Sequence, residues 1–133
     1  MKILHLYYDL MNVYGEYGNV VVLAKHLEDQ GEEVIVDKKT IGDKIDFTQY
    51  DFIYCGSGTE KNQMVALNDL LKRKDNLIKS KGIIFFTGNA MELLGEKIDE
   101  HKALNIVPVK TTLTDKRYTG DVIVKNDDIG EVV

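Results

Sequence analysis

The chain reads as an α/β protein, a mostly parallel sheet with helices on both faces, and three observations predict it. Apolar periodicity switches repeatedly between the alternation of a strand and the wider spacing of an amphipathic helix, the pattern of β and α elements alternating around one sheet. Three glycine turns, "NVYGEYGN", "CGSG" and "TGNA", each follow an apolar run directly. Finally, 133 residues with 44% hydrophobic content suffice for one continuous core without disulfides or a structural metal, while a second full domain does not fit.

The elements follow in order. Residues 2 to 8 form a strand carrying Ile3, Leu4, Leu6 and Tyr7, and residues 18 to 30 an amphipathic helix that ends at Gly31. The next strand is 33 to 37, and after a polar connection "DFIYC" at 51 to 55 opens into "GSGTEKNQ". A helix from 60 to about 80 puts Met64, Leu67, Leu70, Leu71, Leu77 and Ile78 on its buried side. A strand from Ile83 to Phe86, a glycine turn and a short helix to Leu94 and Gly95 come next. After Pro108 the pattern changes to shorter β-type runs, at 104 to 109 and 119 to 125, expected as an antiparallel extension at the sheet edge. Residues 1 to 133 are expected to be one domain; because they stop within a β-type pattern at Val132 and Val133, that domain is expected to be the N-terminal part of a longer one.

Composition narrows the function. A net charge of −5 argues against nucleic acid, which needs a basic face. The cluster Lys72, Arg73, Lys74, Lys79 and Lys81 lies late in a helix and just after it, where cations complement the macrodipole, and reads as solvated surface. The single Cys55 excludes an intrachain disulfide, and no apolar run is long enough to span a bilayer, so a cytoplasmic location without membrane insertion is expected.

Chemistry concentrates in the glycine turns. In an open parallel sheet, ligands bind beyond the carboxyl ends of the strands near the switch in strand order, where these turns would converge; taken singly, each turn needs glycine only for its backbone. "GIIFFTGNAMELLG", residues 82 to 95, is the strand, turn and helix on which α/β enzymes mount a nucleophile. Its turn offers Thr87, Gly88 and Asn89, with no cysteine or serine. No turn has a dinucleotide or P-loop spacing. His5, His26 and His101 show no metal spacing, so neither metal nor cofactor is expected. Cys55 ends an apolar strand and reads as a buried, inert thiol. Glu92 suits the first turn of a helix, and Tyr14 and Tyr17, flanking Gly15, are placed to line the crevice mouth or to pack on the helix.

Four stretches in order, "MNVYGEYGNVVVLAKHLEDQG", "DFIYCGSGTEKNQ", "GIIFFTGNAMELLG" and "KRYTGDVIV", resemble the N-terminal two thirds of a class I (triad-type) glutamine amidotransferase domain. The branch is the one that includes cobyric acid synthase and the glutaminase subunit of lipid II isoglutaminyl synthase. The resemblance implies a flavodoxin-like fold, a cysteine nucleophile at the elbow that attacks the side-chain amide of glutamine, and ammonia passed to a Mur-ligase-like or other synthetase subunit. It implies that Gly56, Ser57 and Gly58 form the loop whose backbone N–H helps build an oxyanion hole, and that Arg117 handles glutamine, a guanidinium being able to grip an α-carboxylate with two parallel hydrogen bonds. The chain departs from the pattern at the elbow. Ungapped alignment from Leu94 and Gly95 puts Gly88 at the cysteine position, and a shift of one puts Thr87 there. A threonine without an adjacent base is a poor nucleophile, and the family's histidine base falls beyond residue 133. Two readings stand: an amidotransferase-like domain whose glutaminase activity is in doubt, or a noncatalytic module that docks a ligase-type partner or a small amino acid such as glutamine.

Overall fold

A computed structural model describes residues 1–116, 119–128 and 130–132, without the side chains of Glu131 and Val132. Strands β1 (Lys2–Leu6), β2 (Ile35–Lys39), β3 (Phe52–Cys55) and β4 (Ile83–Phe86) form one sheet in the order β2-β1-β3-β4. All its pairings are parallel, with Leu4 opposite Asp37 and Ile53, and Tyr54 opposite Phe85. This is the flavodoxin-like order, and the switch in direction falls beside β1.

Alternation along the strands sorts the side chains to two faces. Helix α1 (Tyr17–Asp29) packs Val20, Leu23 and Leu27 against Ile3, Tyr54 and Phe52. On the other face, helix α2 (Glu60–Leu77) and the short α3 (Ala90–Leu93) bury Ala66, Leu67, Leu70 and Leu93 with Leu4, Leu6, Ile53 and Cys55. Each fully buried leucine contributes about 1.5–3 kcal/mol. Thr59 caps α2 by accepting a hydrogen bond from the Asn62 N–H at 3.2 Å. Gly82 is dictated by contact: a Cβ there would stand 2.8 Å from the Asp51 carbonyl oxygen, where β4 enters beside β3.

Several expectations are corrected. The second strand is 35 to 39, not 33 to 37, because its register is set by β1; Val34 instead packs beneath α1. The long helix ends at Leu77 with Ile78 exposed just beyond it, and within the helix Leu71 is on the exposed rather than the buried side. The apolar run 104 to 109 is not a strand. Leu104 is buried against the core, the N–H groups of Ile106 and Val107 both donate to the Leu94 carbonyl, and Asn105 has a φ of +51° that breaks an extended path. The β structure near the chain's end forms two small separate sheets. In one, β5 (Lys97–Ile98) lies between β6 (His101–Lys102) and β7 (Lys110–Thr111); in the other, β8 (Val124–Asn126) pairs antiparallel with β9 (Gly130–Val132). Neither lies on the edge of the parallel sheet.

Candidate functional site

The three glycine turns meet at the carboxyl end of the sheet. The Val13 N–H donates to the Ser57 carbonyl at 3.0 Å, joining the first turn to the glycine loop. Asn89 clamps that loop to the elbow: its Oδ1 accepts from the Gly58 N–H at 2.9 Å, and its Nδ2 donates to the Gly58 carbonyl at 2.8 Å. Close packing demands the glycines, since a Cβ on Gly56 would lie 2.7 Å from the Met11 carbonyl oxygen and one on Gly58 3.1 Å from that of Leu10. Tyr7, ending β1, is held at a φ of +51°, a costly conformation for an L side chain. Its hydroxyl donates to Asp69 Oδ2 at 2.9 Å, and Asp69 is paired with Arg73.

Backbone geometry separates residues 87 and 88 in the turn after β4. Gly88 has a φ of +56°, the left-handed conformation of a sharp strand-to-helix turn, whereas the Thr87 N–H still continues the sheet by donating to the Cys55 carbonyl at 3.0 Å. The Thr87 hydroxyl lies 3.0 Å from the Tyr54 hydroxyl, which accepts from Asn19 Nδ2 at 2.8 Å, so Thr87 belongs to the α1 face. A Cβ at residue 88 would overlap Ser57 Oγ.

Two of the loop's N–H groups are already in use. That of Gly58 goes to Asn89, and that of Ser57 donates to Glu16 Oε1 at 2.8 Å. The other Glu16 oxygen accepts from the Tyr14 N–H, also at 2.8 Å. Burial works to raise the Glu16 pKa, but the backbone donors of Glu16 itself, Tyr14 and Ser57, with the Ser57 hydroxyl, outweigh it and hold the carboxyl below its usual range.

On the α2 side of the elbow lies a cavity of about 480 Å³, lined among others by Glu60, Gln63, Asn89, Glu92, Asp99 and Lys116. It carries charges of both signs. Gln63 is buried and donates to the Asn89 carbonyl at 2.8 Å and to Glu92 Oε2 at 2.6 Å, which fixes one wall. Glu92 is therefore a cavity residue as well as a first-turn acid. Sequence reading missed both Gln63 and Glu16. For Gln63 the signal was present, a polar residue in register with Ala66, Leu67 and Leu70 on the buried face; for Glu16 there was none. Arg117 lies outside the described residues.

The remaining candidates separate from the cavity. Cys55 is fully buried with Sγ 3.8 Å from the Gly56 carbonyl, and burial, aided by the charge of Glu16, pushes its thiol pKa up. Tyr14 is 84% exposed, and Tyr17 lines a different groove of about 350 Å³ between α1 and β2, so neither borders the elbow cavity. His5 lies under that groove, 1% exposed, with neither ring nitrogen hydrogen-bonded among the described residues. Burial, then the nearby Lys38, push its pKa down to about 4 against a smaller opposing effect of Glu16. His26 pairs with Gln30 on the surface. Among the described residues no group of three or more His, Cys, Asp or Glu is placed to hold a metal ion, and no helix is long and apolar enough to cross a membrane.

No protein-family model matches the chain. Two curated proteins do. It is 33% identical over 140 residues to the lipid II isoglutaminyl synthase (glutamine-hydrolyzing) subunit GatD of Streptococcus pneumoniae, which covers 98% of this chain and 54% of that protein. It is 26% identical over 143 residues to the subunit of the same name from Staphylococcus aureus, covering 100% of this chain and 58% of that protein. The chain thus spans a little over half the length of the curated relatives it matches. Flavodoxin-like strand order, an elbow beside a glycine loop and similarity running along nearly the whole sequence agree, and the chain belongs to the GatD-like branch of the glutamine amidotransferases.

Proposed function

We propose that this chain is the amidotransferase-type part of a GatD-like subunit that binds glutamine or a related amino acid and serves a synthetase partner without hydrolysing glutamine at its own elbow. The observation that carries this reading is Gly88: the residue with elbow geometry has no side chain. Covalent amide hydrolysis needs an activated nucleophile there, and neither Thr87, turned to the α1 face, nor the buried Cys55 supplies one. The cavity supports retained binding. Carboxylates at Glu60, Glu92 and Asp99 suit an α-ammonium group, while Lys116 and the adjacent Arg117 suit an α-carboxylate.

The partner is a Mur-ligase-like or other synthetase subunit, and the compartment the cytoplasm. The outer edge of β4, which pairs with no further strand among the described residues and exposes Ile83 and Phe85 on one side, supports completion of the domain by further β/α structure at that edge.

Calorimetry with glutamine, beside a sensitive ammonia-release assay run with and without the partner, tests the reading. Binding without ammonia is expected. Arg117→Ala should weaken binding by about 1.5–3 kcal/mol, and Arg117→Lys nearly as much, because lysine lacks the fork. Ammonia release by the isolated chain that is lost in Cys55→Ala would overturn the reading and move the nucleophile to residue 55. The scaffold alternative gains if no amino acid produces heat.

A further inference from the structure

We infer that the elbow is closed from within: Ser57 fills the space from which a side chain at residue 88 would project, and Glu16 and Asn89 take the glycine-loop N–H groups beside it. The inference rests on reading residues 87 to 89 as an amidotransferase-type elbow, and it does not depend on what the cavity binds.

Acyl-transfer chemistry at an elbow needs room for the attacking atom and N–H donors free to reach about 2.7–3.1 Å from the developing oxyanion. Neither requirement is met here, because the chain's own side chains occupy both the space and the donors. A Cβ at residue 88 would overlap Ser57 Oγ and stand 3.1 Å from Ser57 Cβ, so rotating the hydroxyl away would still leave a tight contact. The Ser57 N–H is held by a carboxylate at 2.8 Å and the Gly58 N–H by an amide oxygen at 2.9 Å. Ser57 is not free to drift. Glu16 bridges the Tyr14 and Ser57 N–H groups with its two oxygens, while the Val13 N–H holds the Ser57 carbonyl. Charge-assisted hydrogen bonds are the stronger class, and the depressed pKa of Glu16 fits an anion kept in place by these donors. Glu16 is thus a positioning residue for Ser57, and Ser57 and Gly88 form one steric unit. The sequence puts residues 16, 57 and 88 on three turns expected to converge, but only the packing sets Ser57 against residue 88 and Glu16 against Ser57.

A coupling experiment on the full chain reads this directly. Wild type, Ser57→Gly, Gly88→Ala and the double variant are compared by thermal unfolding. Any L residue at 88 bears the strain of a positive φ, but that strain is common to both backgrounds and cancels in the cycle. Gly88→Ala should lower Tm by about 5 °C or more beyond its effect in the Ser57→Gly background. Failure of Gly88→Ala to fold only when Ser57 is present would support the inference; equal losses, or failure in both backgrounds, would overturn it. As a second readout, Gly88→Cys is placed in the same two backgrounds and alkylated with iodoacetamide, with peptide mass spectrometry separating residue 88 from Cys55. Labelling at 88 should be about tenfold faster with Ser57→Gly, and equal rates would overturn the closed elbow. No glutamine is used, so this result and the binding test fail or succeed separately.

Discussion

On the α2 side of the sheet, Leu4, Leu6, Ile53 and Cys55 are fully buried beneath Ala66, Leu67 and Leu70, whereas on the α1 side Ile83 and Phe85 of β4 stand 63% and 50% exposed. The difference is geometric. Helix α1 covers Ile3, Tyr54 and Phe52, and a single helix cannot also shield β4 or the flank of β2. Polar groups are hydrogen-bonded on both faces, Gln63 and Asn89 on the cavity side and Asn19, Tyr54 and Thr87 on the α1 side, but on the α1 side His5 has neither ring nitrogen hydrogen-bonded among the described residues. One face holds the chain together and frames the cavity; the other leaves Ile83 and Phe85 open to solvent.

Substitutions on the two faces should therefore differ sharply. Leu70→Ala, in the middle of the α2 face, should cost about 2–5 kcal/mol by chemical denaturation. A loss below about 1 kcal/mol would show that this face is not the closed core. Next in size, Gly82→Ala should destabilise by more than an ordinary surface glycine would, because its Cβ meets the Asp51 carbonyl where β3 and β4 run together. Unfolding curves matching those of Gly31→Ala, a site with open space around it and its own positive φ, would refute that contact.

His5 gives a pH-dependent contrast. Its folded pKa of about 4 lies below the ordinary 6.5, so the unfolded chain takes up a proton that the folded chain refuses. Its contribution to stability is complete above pH 6.5, falls as pH drops toward about 4, and changes no further once both states are protonated. Glu16, Asp37 and Asp46, with depressed carboxyl pKa values, keep their contributions above their ordinary 4.5, 3.8 and 3.8 and lose them as pH falls from there through the lowered folded values, so the interval just under pH 6.5 lies above their window and within that of His5. His5→Phe should flatten Tm against pH there, and an unchanged slope would assign the dependence elsewhere. The smallest effect belongs to the bare strand: Phe85→Lys should cost less than about 1 kcal/mol in the isolated chain. A large loss accompanied by a change in molecular mass would instead show that this face is already covered by a second copy.

Much of the fold was legible because it is written in local pattern. The apolar run from Ile3 to Tyr7, the α2 stripe of Leu67, Leu70 and Leu77, and glycines directly after strands mark elements whose cause is near in sequence. Where the cause was distant, the pattern misled. Residues 104 to 109 are apolar enough for a strand, yet the N–H groups of Leu104, Asn105, Ile106 and Val107 are claimed by the carbonyls of Leu93, Leu94 and Gly95 at the end of α3. The edge expected for the β structure near the chain's end was likewise wrong, since its partners are one another.

By itself the sequence determined the α/β class, the elbow at residues 87 to 89, the lack of a nucleophile there and the resemblance to an amidotransferase branch, since each depends on residue type and spacing along one chain. Tertiary structure alone decided that residue 88 rather than 87 takes the left-handed turn after β4, that Ser57 lies in the path of any side chain there and that Gln63 and Glu92 share a cavity wall. The physical reason is the same in each case. A left-handed φ, a steric overlap between residues 57 and 88, and a hydrogen bond across 29 positions depend on where separate turns come to rest, and only the packed sheet puts them side by side.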